Sequence, residues 1–79
     1  MSKEEVLSRV NEIFKDAFDR EDLHIGYETT AADVEGWDSL MQMNLIEMIE
    51  DDFDIRFSME EVMNMQNVGA MLDVIMTKL

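Results

Sequence analysis

Apolar residues recur at helical spacing through this chain, helix-capping side chains open the stretches that carry them, and no stretch keeps the two-residue alternation of a strand. Ser2 with Glu5 makes a capping-box pattern, and Met1 with Val6 is placed to staple the chain's entry into the helix. Val6, Leu7, Val10, Ile13, Phe14 and Ala17 then follow on one side, with Phe18 beside them, which predicts a first helix over about Lys3 to Phe18. A second is expected from about Ser39 to Asp52. Its residues Leu40, Met43, Leu45, Met48 or Ile49, and Phe53 should face at least partly inward, with Glu47, Glu50, Asp51 and Asp52 at or near its outer surface. Ser58 with Glu61 repeats the capping box and predicts a short helix containing Val62 and Met65. Asn67 is placed to cap a last helix, with Val68, Met71, Leu72, Ile75 and Leu79 on one stripe. The expected fold is all-α: a small four-helix bundle of three longer helices and a short third, with a long loop between the first and second.

That loop, Asp19 to Trp37, carries Gly26 and Gly36 as turn points and Leu23, Ile25, Tyr27, Val34 and Trp37 as anchors. Two roughly parallel neighbours in a bundle need a long crossover, so its length has a geometric reason. Nothing else breaks the chain: there is no proline, and only three glycines punctuate it. One domain over residues 1–79 is therefore expected, with a modest core and marginal stability.

Composition narrows the function. With no cysteine, the chain has neither a disulfide framework nor a thiolate metal site. Nineteen acids against six bases give a net charge of −13, which argues against nucleic acid and anionic membranes as partners and for partners with basic surfaces. High charge also accompanies disorder, yet 47% hydrophobic content at helical spacing points to a folded core. The start MSKEEVLSRV has no basic segment leading into an apolar one, and no apolar run approaches membrane-spanning length. A cytoplasmic monomer without membrane insertion is expected.

The chemistry-bearing run is Gly36-Trp37-Asp38-Ser39-Leu40. A turn-forming glycine and a helix-capping aspartate put the Ser39 hydroxyl on the first turn of the second helix. There, free backbone N–H groups and the positive end of the helix dipole favour an attached phosphate. An Asp-Ser pair opening a helix is by itself ordinary capping. Its setting is more specific. The stretch from Val34 to Phe57, VEGWDSLMQMNLIEMIEDDFDIRF, resembles the acyl and peptidyl carrier proteins, and the likeness extends through the helix order of essentially the whole chain.

The resemblance implies a 4'-phosphopantetheine arm on Ser39, with Asp38 and Leu40 completing the motif. A separate phosphopantetheinyl transferase would attach the arm from coenzyme A, and its thiol would hold acyl or aminoacyl groups as thioesters. Acyl-loading, condensing and acyl-transfer enzymes would be the partners. No catalytic set accompanies Ser39, since the only histidine, His24, lies in the loop without a partner to make it a base. Trp37 and Leu40 read first as anchors of the loop and helix start, and the resemblance adds an apolar contact for partner enzymes at Leu40.

Met41, Asn44, Glu47, Glu50 and Asp51 are the expected docking residues, charged ones meeting basic surfaces. The cluster Glu50, Asp51, Asp52 and Asp54 lacks the ligand order of an EF-hand, so no dedicated metal site is expected, although loose divalent binding fits crowded acids. Of nine methionines, eight lie from Met41 onward, and most are expected in the core. Met43, Met48, Met63 and Met65, with Ile55, Phe57 and Val62, are placed around the space between the second and third helices where the family shelters acyl chains. The family's primary fatty-acid carriers commonly have acids at the positions held here by Met41 and Asn44, and a small residue at Trp37. Gly-Trp-Asp-Ser-Leu looks more like carriers of polyketide, nonribosomal-peptide or other specialised pathways. A primary fatty-acid carrier, and an acidic calcium-binding or protein-binding helical module, stay open as alternatives.

Overall fold

The computed structural model describes every residue from Met1 to Leu79. Four helices, α1 (Lys3–Phe18), α2 (Ser39–Phe53), α3 (Met59–Met63) and α4 (Val68–Lys78), are joined without any strand, and a short 3-10 turn, Ala31–Asp33, interrupts the long loop. Side chains set these boundaries. Ser2 and Glu5 cap α1 reciprocally at 3.1 and 2.8 Å, and Ser58 and Glu61 do the same for α3 at 3.1 and 2.8 Å. Asn67 Oδ1 accepts the Ala70 N–H at 2.8 Å at the start of α4. At the far ends of α1 and α2, Asp19 and Asp54 take left-handed conformations with φ of 52° and 56°. Past Asp54 the Ile55 N–H turns back to the Glu50 carbonyl at 3.1 Å, which closes the end of α2.

Sixteen residues are buried, and all of them are hydrophobic. Helix α1 contributes Val6, Val10, Ile13 and Phe14, α2 contributes Leu45, Ile46, Ile49 and Phe53, and α4 contributes Val68, Met71, Leu72 and Ile75. The loop residues Leu23, Ile25 and Val34, which anchor the long loop, and Ile55 in the turn after α2 complete the sixteen. Two sets of hydrogen bonds hold that loop down. Asn11 Oδ1 accepts the Ile25 N–H at 2.8 Å, while Tyr27 and Thr29 carbonyls accept the Gly69 and Val68 N–H groups at 2.7 and 2.9 Å. The loop thus supplies the partners that the first turn of α4 lacks.

Several expectations need correction. Leu40 and Met43 do not face inward, being 82% and 46% exposed. At 3.6 residues per turn Leu40 lies about 180° around the helix from the buried Ile49, and Ile46 takes an inward place that the spacing argument left empty. Leu79 is likewise exposed, and Met65 falls beyond the end of α3. Among the methionines only Met71 is buried; Met1, Met43, Met59 and Met63 are exposed, and Met41, Met48, Met65 and Met76 pack on the edge of the core. Five residues of α3 make too short a helix to bury a stripe, so its methionines stay at the surface. Exposed Met1 gives the expected staple no buried partner for Val6.

Candidate functional site at the start of the second helix

Gly36, with φ of 90°, turns the chain into α2 and sits against the Phe18 ring. Trp37 follows, half-buried, with its ring edge-on to that of Phe14 at 5.1 Å and its indole N–H donating to Gln42 Oε1 at 2.7 Å. Asp38 caps α2, its Oδ1 accepting the Met41 N–H at 2.8 Å. Ser39 is therefore the first helical residue, exposed, between a fixed tryptophan and the open helix end.

A groove of about 490 Å³ runs beside Ser39. It is lined by Trp37, Asp38, Gln42 and Met43 around the start of α2, by Val62 of α3 with Met65 and Gln66 just beyond it, and by Ala31 of the long loop. Three of the residues expected around an acyl chain, Met43, Val62 and Met65, are thus brought together next to the serine. The others are not. Met48, nine positions after Ser39 and so about half a turn round the helix, borders a hollow with Ile13, Asp16, Asp51 and Asp52. Met63 is 78% exposed, Ile55 is buried in the core, and Phe57 packs half-buried against it. Sequence reasoning missed Gln42 and Gln66, because a polar residue at helical spacing carries no sign that it faces a groove rather than open water.

Leu40, Met41, Met43, Asn44 and Glu47 share a second hollow of about 500 Å³ with Gly36 and Asp38, on the outer side of α2. Glu47 and Asp51 are exposed, as docking requires. Glu50 is not: only 15% of its side chain is exposed, with Oε2 accepting the Phe57 N–H at 2.9 Å and Oε1 3.7 Å from Arg56. It fixes the turn after α2. Asp52 is drawn to Arg9 at 2.8 Å, so the acids of the α2 end are held apart rather than gathered around one point. Every one of the six basic side chains lies within 4 Å of an acid elsewhere: Lys3 by Asp73, Arg9 by Asp52, Lys15 by Glu12, Arg20 by Asp22, Arg56 by Glu50 and Lys78 by Glu61. None neutralises Glu47 or Asp51.

Three groups depart from their ordinary ionisation. Hydrogen bonds from the Ser2 and Ser58 backbone N–H groups hold Glu5 and Glu61 below the usual glutamate range, with Lys78 adding to the effect on Glu61. The hydrogen bond to Asp73 raises Lys3. None of them lies at Ser39.

Comparison with known proteins agrees with this geometry. Residues 8–75 match the family model described as the phosphopantetheine attachment site. The chain is 31% identical over 78 residues to an acyl carrier protein of Exiguobacterium sibiricum, covering 99% of each chain. It superposes with a TM-score of 0.86 and 36% identity on the solution NMR structure of a holo acyl carrier protein from Geobacter metallireducens, over 91% of this chain and 83% of that one. The chain belongs to the acyl carrier proteins, the family built around a phosphopantetheine attachment site.

It is accordingly a non-catalytic carrier, and its cofactor is 4'-phosphopantetheine, attached covalently. The residues present fit that group: the exposed Ser39 hydroxyl on the first turn of α2 would bear the phosphodiester, and the groove beside it offers apolar walls with two amide side chains to a flexible arm. When bound, the arm supplies a thiol that carries acyl groups as thioesters. The chain's own residues hold the serine outward, cap the helix below it and shape the groove. Phosphopantetheinyl transferase and acyl-handling enzymes are the family's partners.

Proposed function

We propose that Ser39 carries the arm and that the protein serves a specialised polyketide, nonribosomal-peptide or lipid pathway as a single carrier domain over residues 1–79. The observation that supports the pathway reading is the outer face of α2 just after the serine. It presents exposed Leu40, Met43 and Asn44 and part-covered Met41, with acid beginning only at Glu47. Enzymes that read acids immediately after the serine find a neutral, methionine-lined surface instead, while those with an apolar contact and a basic patch further along match both halves.

In this reading Leu40, Met41, Met43, Asn44, Glu47 and Asp51 meet partner enzymes, and Met43, Val62 and Met65 shelter the arm and the start of its cargo. The protein acts in the cytoplasm as a monomer. The test is reconstitution: holo protein is offered to the condensing and reducing enzymes of primary fatty-acid synthesis beside a primary carrier. Elongation far slower than on the primary carrier supports the specialised reading. Equal elongation makes this a primary fatty-acid carrier.

A further inference from the structure

The groove beside Ser39 has one side chain whose orientation is fixed in advance. An indole N–H only donates, so the Trp37 Nε1–H bond of 2.7 Å requires the amide oxygen of Gln42 to face the tryptophan. The amide nitrogen is thereby turned away, and its two hydrogens meet no acceptor within the chain. Trp37 cannot easily release this hold, because its ring is seated edge-on against Phe14, which is fully buried. Gln42 also stands three residues after Ser39, about 4.5 Å along the helix axis, and lines the same groove.

We propose that Gln42 is an arm-positioning residue, its Trp37-oriented amide donating a hydrogen bond to a carbonyl oxygen that lies in the groove beside Ser39. The inference rests on Ser39 bearing the arm. Phosphopantetheine contains two amide groups between phosphate and thiol, so its carbonyls pass close to the attachment point. Against the walls of Met43, Val62 and Met65 a carbonyl without a donor loses its hydrogen bond to water, a loss that Gln42 makes good. Because the donor is already aimed, little side-chain freedom is given up on binding. A β-oxo group on the cargo presents the same chemistry, but it lies beyond the thiol and farther from the helix start.

Side-chain amide resonances of ¹⁵N-labelled protein separate these sources. The Gln42 pair is identified by its absence in Gln42→Glu, which keeps an oxygen for Trp37 and removes the donor. Spectra are compared for the apo, holo, butyryl and acetoacetyl forms, with intact mass confirming complete addition. A downfield shift of the Gln42 protons on passing from apo to holo, with the Trp37 indole proton unmoved, is the expected result. A shift appearing only with acetoacetyl also supports the donor and assigns the carbonyl to the cargo. Unshifted Gln42 protons in a fully loaded sample overturn the proposal. Absence of added mass overturns the carrier assignment of Ser39 and this inference with it. As a second measurement, Gln42→Met removes the donor without adding charge, and nuclear Overhauser contacts between the arm and Trp37 or Val62 should weaken in its folded holo form. Contacts of unchanged strength overturn the proposal.

Discussion

Glu61 Oε1 accepts a hydrogen bond from the Ser58 backbone N–H at 2.8 Å and at the same time forms an ion pair with Lys78 Nζ at 3.0 Å. A single carboxylate oxygen therefore closes the N-terminus of α3 and ties it to the last turn of α4. The tie matters because α3 buries none of its own residues. One wall of the groove beside Ser39 rests on this short helix.

Glu61 is held below the usual glutamate range chiefly by the Ser58 N–H, so it binds its proton less readily in the folded chain than in the unfolded one. The stability it adds is present above the unfolded pKa and is lost as pH falls through the folded value. Glu61→Gln should lower the melting temperature at neutral pH, and the gap between variant and wild type should close in acid, below about pH 4. Thermal unfolding across pH checks this, and a gap that persists undiminished in strong acid removes the charge from the explanation.

Ser39 tests the site directly. Incubated with coenzyme A and a broad-specificity phosphopantetheinyl transferase, the wild type should gain one arm by intact mass and Ser39→Ala none. Circular dichroism should find the variant's helices intact, since the Ser39 side chain makes no contact in the core. Addition to the alanine variant would move the attachment point elsewhere.

Gly69 stands where the loop crosses the start of α4. A Cβ there would come within 2.8 Å of the Tyr27 carbonyl oxygen, whose bond from the Gly69 N–H is itself 2.7 Å. Alanine ordinarily favours a helix over glycine by up to about 1 kcal/mol. Here the overlap with backbone should outweigh that gain, and Gly69→Ala is expected to lose about 1–3 kcal/mol in denaturant unfolding. Gly26→Ala meets nothing nearer than the Thr29 hydroxyl at 4.0 Å and should stay near neutral. Equal stability of the two variants would contradict the close approach.

Much of this was legible in the sequence, for identifiable reasons. Ser2, Asp38, Ser58 and Asn67 act within one helical turn, so their capping roles follow from local spacing alone. The motif around Ser39 was equally local. What failed depended on which neighbour a helix meets. Leu40 and Met43 are apolar yet exposed, Glu50 is charged yet mostly covered, and Met48 lies across the helix from the groove it was expected to line. A periodic pattern fixes the relative angles of residues on a helix but not which direction faces the core, and a helix rich in methionine blurs the one mark that would show it. Gly69 gave no signal because its reason is a loop far away in sequence.

Glu47 and Asp51 provide the electrostatic test of docking, since both are exposed and no basic side chain lies within ion-pair distance of either. Exposed charges are screened over about 8 Å at physiological ionic strength, so modification by the transferase should slow as salt rises. The double variant Glu47→Lys with Asp51→Lys should lower kcat/KM and flatten its dependence on salt, with helical content unchanged. An unchanged kcat/KM in both comparisons would mean that the acids of α2 do not steer the encounter.

Net charge sets the response of the fold itself to salt. The folded chain confines a charge of −13 within a radius of gyration of 11.3 Å. An unfolded chain of this length spreads it over about 27 Å, so repulsion is the greater in the folded state. Salt also weakens the six ion pairs, but exposed pairs contribute only about 0–1 kcal/mol each. The repulsive effect should win, and the melting temperature at neutral pH should rise with sodium chloride. Because Asp52 is held by Arg9 and Glu50 by the Phe57 N–H, the acids at the end of α2 make no common cage. Calcium and magnesium should therefore raise the melting temperature at millimolar concentration, without the saturation at low micromolar calcium that a sensor site produces. Saturation in that range, with magnesium far weaker, would instead show a dedicated calcium site on the carrier. A melting temperature that falls with added sodium chloride would show that the ion pairs, and not the excess of carboxylates, govern the stability of this bundle.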